Sequence, residues 1–242
     1  MTLTRQTSSE EVLSLPHATT LFEILGINTC CGQARTLADA AALSRLSSEE
    51  LIELLESPTA FPDGAAGRPP DTSDLGEVVR WIGDNLHRRA RRSLVALIIR
   101  VRSLTPAHGR QRPELWTTRA TLELLARDLI PHMSTEETYL FPYIRGMTEN
   151  MQADKTLVVP LLGTIEFPLQ AIKHDHAGDM EAIHALRQST RDFTADDRSC
   201  EPLREFYRGL ASFARELQEH IHLENDVLFP QAVELEKRVA RR

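Results

Sequence analysis

The 242-residue sequence predicts an all-α protein: an antiparallel, up-down four-helix bundle with a small helical domain at its amino end. Three observations predict it. Four long stretches, roughly 74–104, 115–142, 168–189 and 202–236, repeat apolar residues at three- and four-residue steps. Clusters of proline and glycine separate them. No segment alternates polar with β-branched residues as paired strands do, and the short Leu157–Leu162 run reads as a connector.

The small domain comes first. Leu21, Phe22 and Leu25 share one side of a turn, Leu37 to Leu46 make a second helical run, and Ser48-Glu49-Glu50 open a third through Leu51, Leu54 and Leu55. Pro58, Pro62, Gly64, Gly67, Pro69 and Pro70 then replace nearly all branched aliphatics, so helix cannot continue and there is little to bury. The expected organisation is a domain over 1–57, a linker over 58–73 and a bundle over 74–242. Long helices rising ~1.5 Å per residue make that bundle roughly 35–45 Å long. Pro131, inside the second stretch, removes a backbone donor and crowds the Arg127 carbonyl, which predicts a kink or a restart there.

Composition narrows the function. A 41% apolar content buries a real core, while a net charge of −7 and only 5% aromatics argue against a nucleic-acid partner that stacks bases. Apolar runs fall well short of the ~20 residues of a membrane span, and residues 1–10 lack the pattern of an export signal. Three cysteines, two of them adjacent, form no disulfide framework and fit a reducing compartment, so the expected location is cytoplasmic.

The strongest signal is a repeat between the second and fourth helices. His132, Glu136, Leu140, Phe141 and Pro142 recur as His220, Glu224, Leu228, Phe229 and Pro230 at one constant offset. Residues four apart lie about 40° from each other on a helix, so each His and Glu can reach one ion. The same face is the apolar stripe: Leu122, Leu125 and Leu129 lead to His132, and Phe206, Leu210, Phe213 and Leu217 lead to His220. An ionised carboxylate buried there unpaired costs several kcal/mol. Metal ligation neutralises it.

His87 sits on a stripe with Gly83, Ala90, Leu94 and Leu97. On the third helix His174 and His176 are two apart, so only one faces inward; His174 follows Phe167 and Ala171, whereas His176 follows Leu169 and Ile172, and periodicity slightly prefers His176. One imidazole per helix and two bridging carboxylates give two metals two nitrogens and two oxygens each, with positions left open. Mixed nitrogen and oxygen ligation suits iron or manganese, with zinc the further option. The ferritin-like arrangement uses Glu-x2-His instead and does not fit.

The paired motifs on a four-helix background resemble the haemerythrin-like domain. The earlier Leu21-Phe22-Glu-Ile-Leu-Gly-Ile-Asn-Thr-Cys30-Cys31-Gly32 segment resembles the amino-terminal domain of the RIC (repair of iron centres) family, and the likeness covers nearly the whole chain. It implies a non-haem site of two iron ions, oxo- or hydroxo-bridged, with terminal ligands His87, His132, His174 and His220 and bridging Glu136 and Glu224. The family's third-helix motif reads Glu-His-Asp, which selects His174 although Lys173 stands where the family has Glu. The resemblance also implies that Cys30 and Cys31 exchange iron, electrons or NO with a client. The expected function is repair of iron–sulfur or other iron centres under nitrosative or oxidative stress. A module that binds NO or O2, or a reductase of NO or peroxide, is the alternative. Damaged iron–sulfur proteins are the expected clients, NO or O2 the small ligands, and a homodimer is one way for adjacent cysteines to pair.

Overall fold

A computed structural model describes residues 2–15, 17–27, 35–58, 67, 70–153, 164–196 and 199–240. Among these the protein is all-α, and its one extended contact is a single bridge between Ser8 and Thr36. Four short helices open the chain: α1 (Ser9–Val12), α2 (Ala18–Ile24), α3 (Leu37–Ser44) and α4 (Ser48–Glu56). Side chains define where three of them start. Ser8 with Glu11, Thr36 with Asp39 and Ser47 with Glu50 form reciprocal capping boxes, each satisfying two backbone donors that a helix start leaves open. The expected run from Ser48 is therefore capped by the residue before it, and α1 is an element the apolar pattern did not reveal.

Four rods follow, as the periodicity predicts, and three of them contain a π-helical turn. The first rod is α5 (Leu75–Trp81), π1 (Ile82–His87) and α6 (Arg88–His108); the second is α7 (Glu114–Thr135), π2 (Glu136–Leu140) and α8 (Phe141–Ala153). The third is the single helix α9 (Glu166–Ser189), and the fourth is α10 (Glu201–His222), π3 (Leu223–Leu228) and α11 (Phe229–Ala240). α7 runs through Pro131 without restarting, and Pro106 lies in the last turn of α6. Pro131 and Arg127 are both on the exposed face, so the carbonyl that the missing N–H leaves open lies on the solvent side of the helix. The Leu157–Leu162 run and most of the 58–73 segment lie outside the described residues.

The rods divide lengthwise between two compact units. One comprises Met1–Gly64, Arg88–Ile130 and Ala185–Phe213; the other comprises Ala65–His87, Pro131–His184 and Ala214–Arg242. In the first, Val12, Leu21, Phe22, Leu37, Leu51 and Leu54 form an apolar core completed by Val95 and Ile99 of α6. Arg88 and Arg92 of α6 reach Glu50 and Glu53 of α4 at 3.5 and 2.8 Å, so this basic band ties α4 to α6. In the second unit, Val78, Val79, Ile82, Leu140, Phe141, Ile144, Leu169, Ile172, Leu228 and Phe229 pack together. Each such side chain contributes about 1.5–3 kcal/mol when buried.

Candidate metal centre

All the buried histidines and glutamates of the repeat fall within the second unit. His87, His132, Glu136, His176, His220 and Glu224 are buried, none more than 9% exposed. They form two groups sharing Glu136: His87, Glu136, His220 and Glu224, and His132, Glu136 and His176. Glu136 Oε2 is 3.5 Å from Nε2 of both His87 and His132. Glu224 turns Oε1 to His220 and His87, at 3.1 and 3.5 Å, and Oε2 to His176, at 3.2 Å. Each carboxylate thus touches imidazoles of both groups.

His176, not His174, is the third-helix imidazole in this cluster. The buried stripe of α9 runs Ile165, Leu169, Ile172, His176, Asp179, Ile183, Leu186 at alternating steps of four and three, and His174 falls on its exposed face. A two-residue shift is about 200° around a helix, so no small rotation exchanges them. The choice of His174 that the resemblance implied is corrected. Cys30 and Cys31 lie outside the described residues, and Cys200 is an exposed free thiol.

The local backbone explains why Leu-Phe-Pro accompanies each glutamate. Phe141 donates its N–H to the Glu136 carbonyl, and Phe229 donates to that of Glu224, five residues back in each case. The next residue, Pro142 or Pro230, has no N–H to continue the four-residue ladder, and the wider turn ends just before it. The two phenylalanines then serve the site in the same way. Phe141 stacks on His87 with ring centroids 5.3 Å apart, and Phe229 stacks on His176 at 6.0 Å.

Three imidazoles are held from behind. His87 Nδ1 donates to Glu137 Oε1 at 2.8 Å, His176 Nδ1 to Asn225 Oδ1 at 3.0 Å, and His132 Nδ1 to Asp175 Oδ2 at 3.4 Å. A carboxylate only accepts, as does the amide oxygen of Asn225, so each of these Nδ1 atoms carries the proton and Nε2 is turned to the site. The lone pairs converge in pairs: His87 and His220 Nε2 are 3.1 Å apart, and His132 and His176 Nε2 are 3.0 Å apart. Two nitrogens bound at right angles to one metal at about 2.1 Å are themselves about 3 Å apart. The donor set therefore fits two cations, one between each imidazole pair, with Glu136 and Glu224 between them. Glu137, Asn225 and Asp175 were given no role from sequence, although each directly neighbours a ligand position, and Phe141 and Phe229 were noted there only as members of the repeat.

The electrostatics suit the same occupants. Burial, reinforced by the charge of His176, pulls His132 down to about 4, and burial also lowers His220, so both present lone pairs at neutral pH. Burial opposes ionisation of Glu224, but His220, His176 and His87 around it outweigh that and hold it well below the usual carboxylate range. Burial likewise pulls His176 down, yet contact with Glu224 raises it overall, so Glu224 stabilises a positive charge at His176 Nε2, a proton or a cation that takes its place.

With this geometry in hand, comparison with known proteins gives a consistent picture. Residues 84–232 match the family described as the Hemerythrin HHE cation binding domain. An iron-sulfur cluster repair protein YtfE of Pectobacterium atrosepticum is 30% identical over 229 residues, covering 94% of this chain and 96% of its own. The protein of that name from Citrobacter koseri is 30% identical over 239 residues, covering 96% and 99%, and one from Escherichia coli O6:K15:H31 is 31% identical over 233 residues, covering 94% and 96%. No helix among the described residues is long and apolar enough to cross a membrane.

Proposed function

This chain belongs to the haemerythrin HHE cation-binding family, and from that premise we propose that it is a di-iron protein of the nitrosative and oxidative stress response, repairing damaged iron–sulfur and other iron centres by donating iron or electrons. The observation that carries this reading is a six-donor buried cluster in a chain that aligns nearly end to end with proteins named for iron–sulfur cluster repair.

In this reading His87 and His220 would hold one iron and His132 and His176 the other, with Glu136 and Glu224 as carboxylate donors within reach of both. Bound iron supplies an exchangeable ferrous ion and a one-electron redox change. The protein's own groups do the rest. Apolar packing around Leu140, Phe141, Leu228 and Phe229 excludes water from one end of the site. The two buried carboxylates attract divalent cations into it, and the Nδ1 acceptors keep the imidazoles aimed.

Four side-chain donors per ion leave coordination positions open, which supports NO or O2 as small ligands. Damaged iron–sulfur proteins as clients, Cys30 and Cys31 as the thiols that meet them, a cytoplasmic setting and a homodimer belong to the same proposal. So does the organisation into 1–57, 58–73 and 74–242, which follows the helices along the chain, whereas the compact units group lengths of helix by proximity. The test is restoration: iron-loaded protein, added anaerobically to an iron–sulfur enzyme inactivated by NO, returns its activity. Recovery no greater than with an equal amount of ferrous salt overturns the proposal.

A further inference from the structure

The internal repeat makes the two halves of the site equivalent in backbone but not in charge. Glu136 and Glu224 correspond, as do the residues that follow them, Glu137 and Asn225, and the phenylalanines Phe141 and Phe229. The residue after the glutamate does the same job in both copies: it crosses to another rod and accepts the Nδ1–H of the histidine on which that copy's phenylalanine stacks. In the first copy the acceptor is a carboxylate at 2.8 Å, 13% exposed. In the second it is a neutral amide at 3.0 Å.

A second correspondence sets the number of acceptors against their strength. Asp175 immediately precedes His176 and accepts from His132, whereas the residue immediately preceding His87 is Leu86, and His220 Nδ1 is buried without a hydrogen-bond partner among the described residues. The acceptor for His132 is the weakest of the three, at 3.4 Å with a side chain 58% exposed. Among the described residues, hydrogen-bonded charge backing of the His132/His176 pair comes from one distant, solvated carboxylate, with the buried Asp179 adding its charge near His176, whereas the His87/His220 pair has a close, shielded carboxylate. Burial points the same way: His87 and His220 are both within 1% of full burial, whereas His132 is 9% exposed.

We propose that Glu137 and Asn225 are positioning residues whose difference in charge makes the site unequal, so that the His132/His176 half holds its ion loosely and gives it up first, while the His87/His220 half retains its ion. A carboxylate behind an imidazole raises the basicity of the ligating nitrogen and fixes its aim, and an amide supplies only the aim. The proposal rests on the di-iron reading and adds an order of release to it: the exchangeable iron is the one nearer Asp175.

The test is release of ferrous ion from the fully loaded protein to a chromogenic iron(II) chelator under anaerobic conditions. Two phases of one ion each are expected. Asp175→Ala speeds only the faster phase. Glu137→Gln, which keeps an acceptor oxygen in nearly the same place and removes its charge, speeds only the slower phase, by about tenfold. Asn225→Asp slows the faster phase by a comparable factor, and the Glu137→Gln/Asn225→Asp protein reverses which half empties first, read by repeating Asp175→Ala in that background. Melting of the iron-free proteins controls for packing and is expected to move little, since each exchange is close to isosteric. Two bound ions leaving in a single phase, or phases indifferent to the exchanges at 137 and 225, overturn this inference and leave the di-iron reading standing. A protein that loads no iron overturns both.

Discussion

Two lengths of the same helices are built on opposite terms. In α10, Phe206, Leu210 and Phe213 fill the inward stripe of the first unit, and about two turns later the same stripe carries His220 and then, in π3, Glu224 in the second. In α7, Leu122, Leu125 and Leu129 give way to His132 and Glu136. Along the apolar lengths the rods are regular α-helix. Where the polar groups begin, three of the four rods contain a π turn, and three imidazoles have a side-chain acceptor behind them. The difference follows from what each stripe must satisfy. Leucine packs in many orientations, but a buried imidazole or carboxylate needs a partner at a set distance and angle.

Substitutions at the two ends sharpen that contrast. The largest effect is expected from removing both buried carboxylates of the cluster: Glu136→Ala/Glu224→Ala protein retains no stoichiometric iron by elemental analysis, and its melting temperature no longer rises when ferrous ion is added. Next is the third-helix assignment. His176→Ala lowers iron content by about one ion per chain, whereas His174→Ala, on the exposed face of α9, leaves it unchanged; the reverse pattern restores His174 to the site. At the apolar end, Phe206→Ala opens a cavity and costs about 3–5 kcal/mol in chemical denaturation, with the iron per folded chain preserved. The smallest effect is at a helix start: Ser47→Ala breaks the capping box of α4 and costs about 1 kcal/mol without altering iron content. Loss of iron on Phe206→Ala would break the contrast, because it would mean that the apolar lengths also set the donor geometry.

Much of this was legible in the sequence because it is periodic. The four rods follow from apolar spacing, and five of the six clustered donors follow from the repeated motif and the stripe around His87. The sixth shows where a motif misleads. The Glu-His-Asp pattern drew the assignment to His174 despite Lys173, while the Leu169, Ile172, His176, Ile183 stripe pointed to His176. Asp175 before His176 preserves the acidic neighbour, and the structure gives that acid a purpose behind His132. The π turns were not legible, since no residue favours them intrinsically; two of them become intelligible only when Pro142 and Pro230 are seen to follow an N–H bonded five residues back. The acceptors were hidden for another reason. Glu137 and Asn225 look like exposed-face residues on their own rods, and their role exists only across to another rod. Arg88 and Arg92, just after His87, likewise find their partners only on another helix, in the acids of α4.

The most direct test of two iron ions enclosed by these six groups is a crystal structure of the iron-loaded protein with anomalous scattering recorded at the iron edge. Two peaks are expected, one between His87 and His220 and one between His132 and His176, with Glu136 and Glu224 reaching both. A single peak, or one beside His174, would contradict the account.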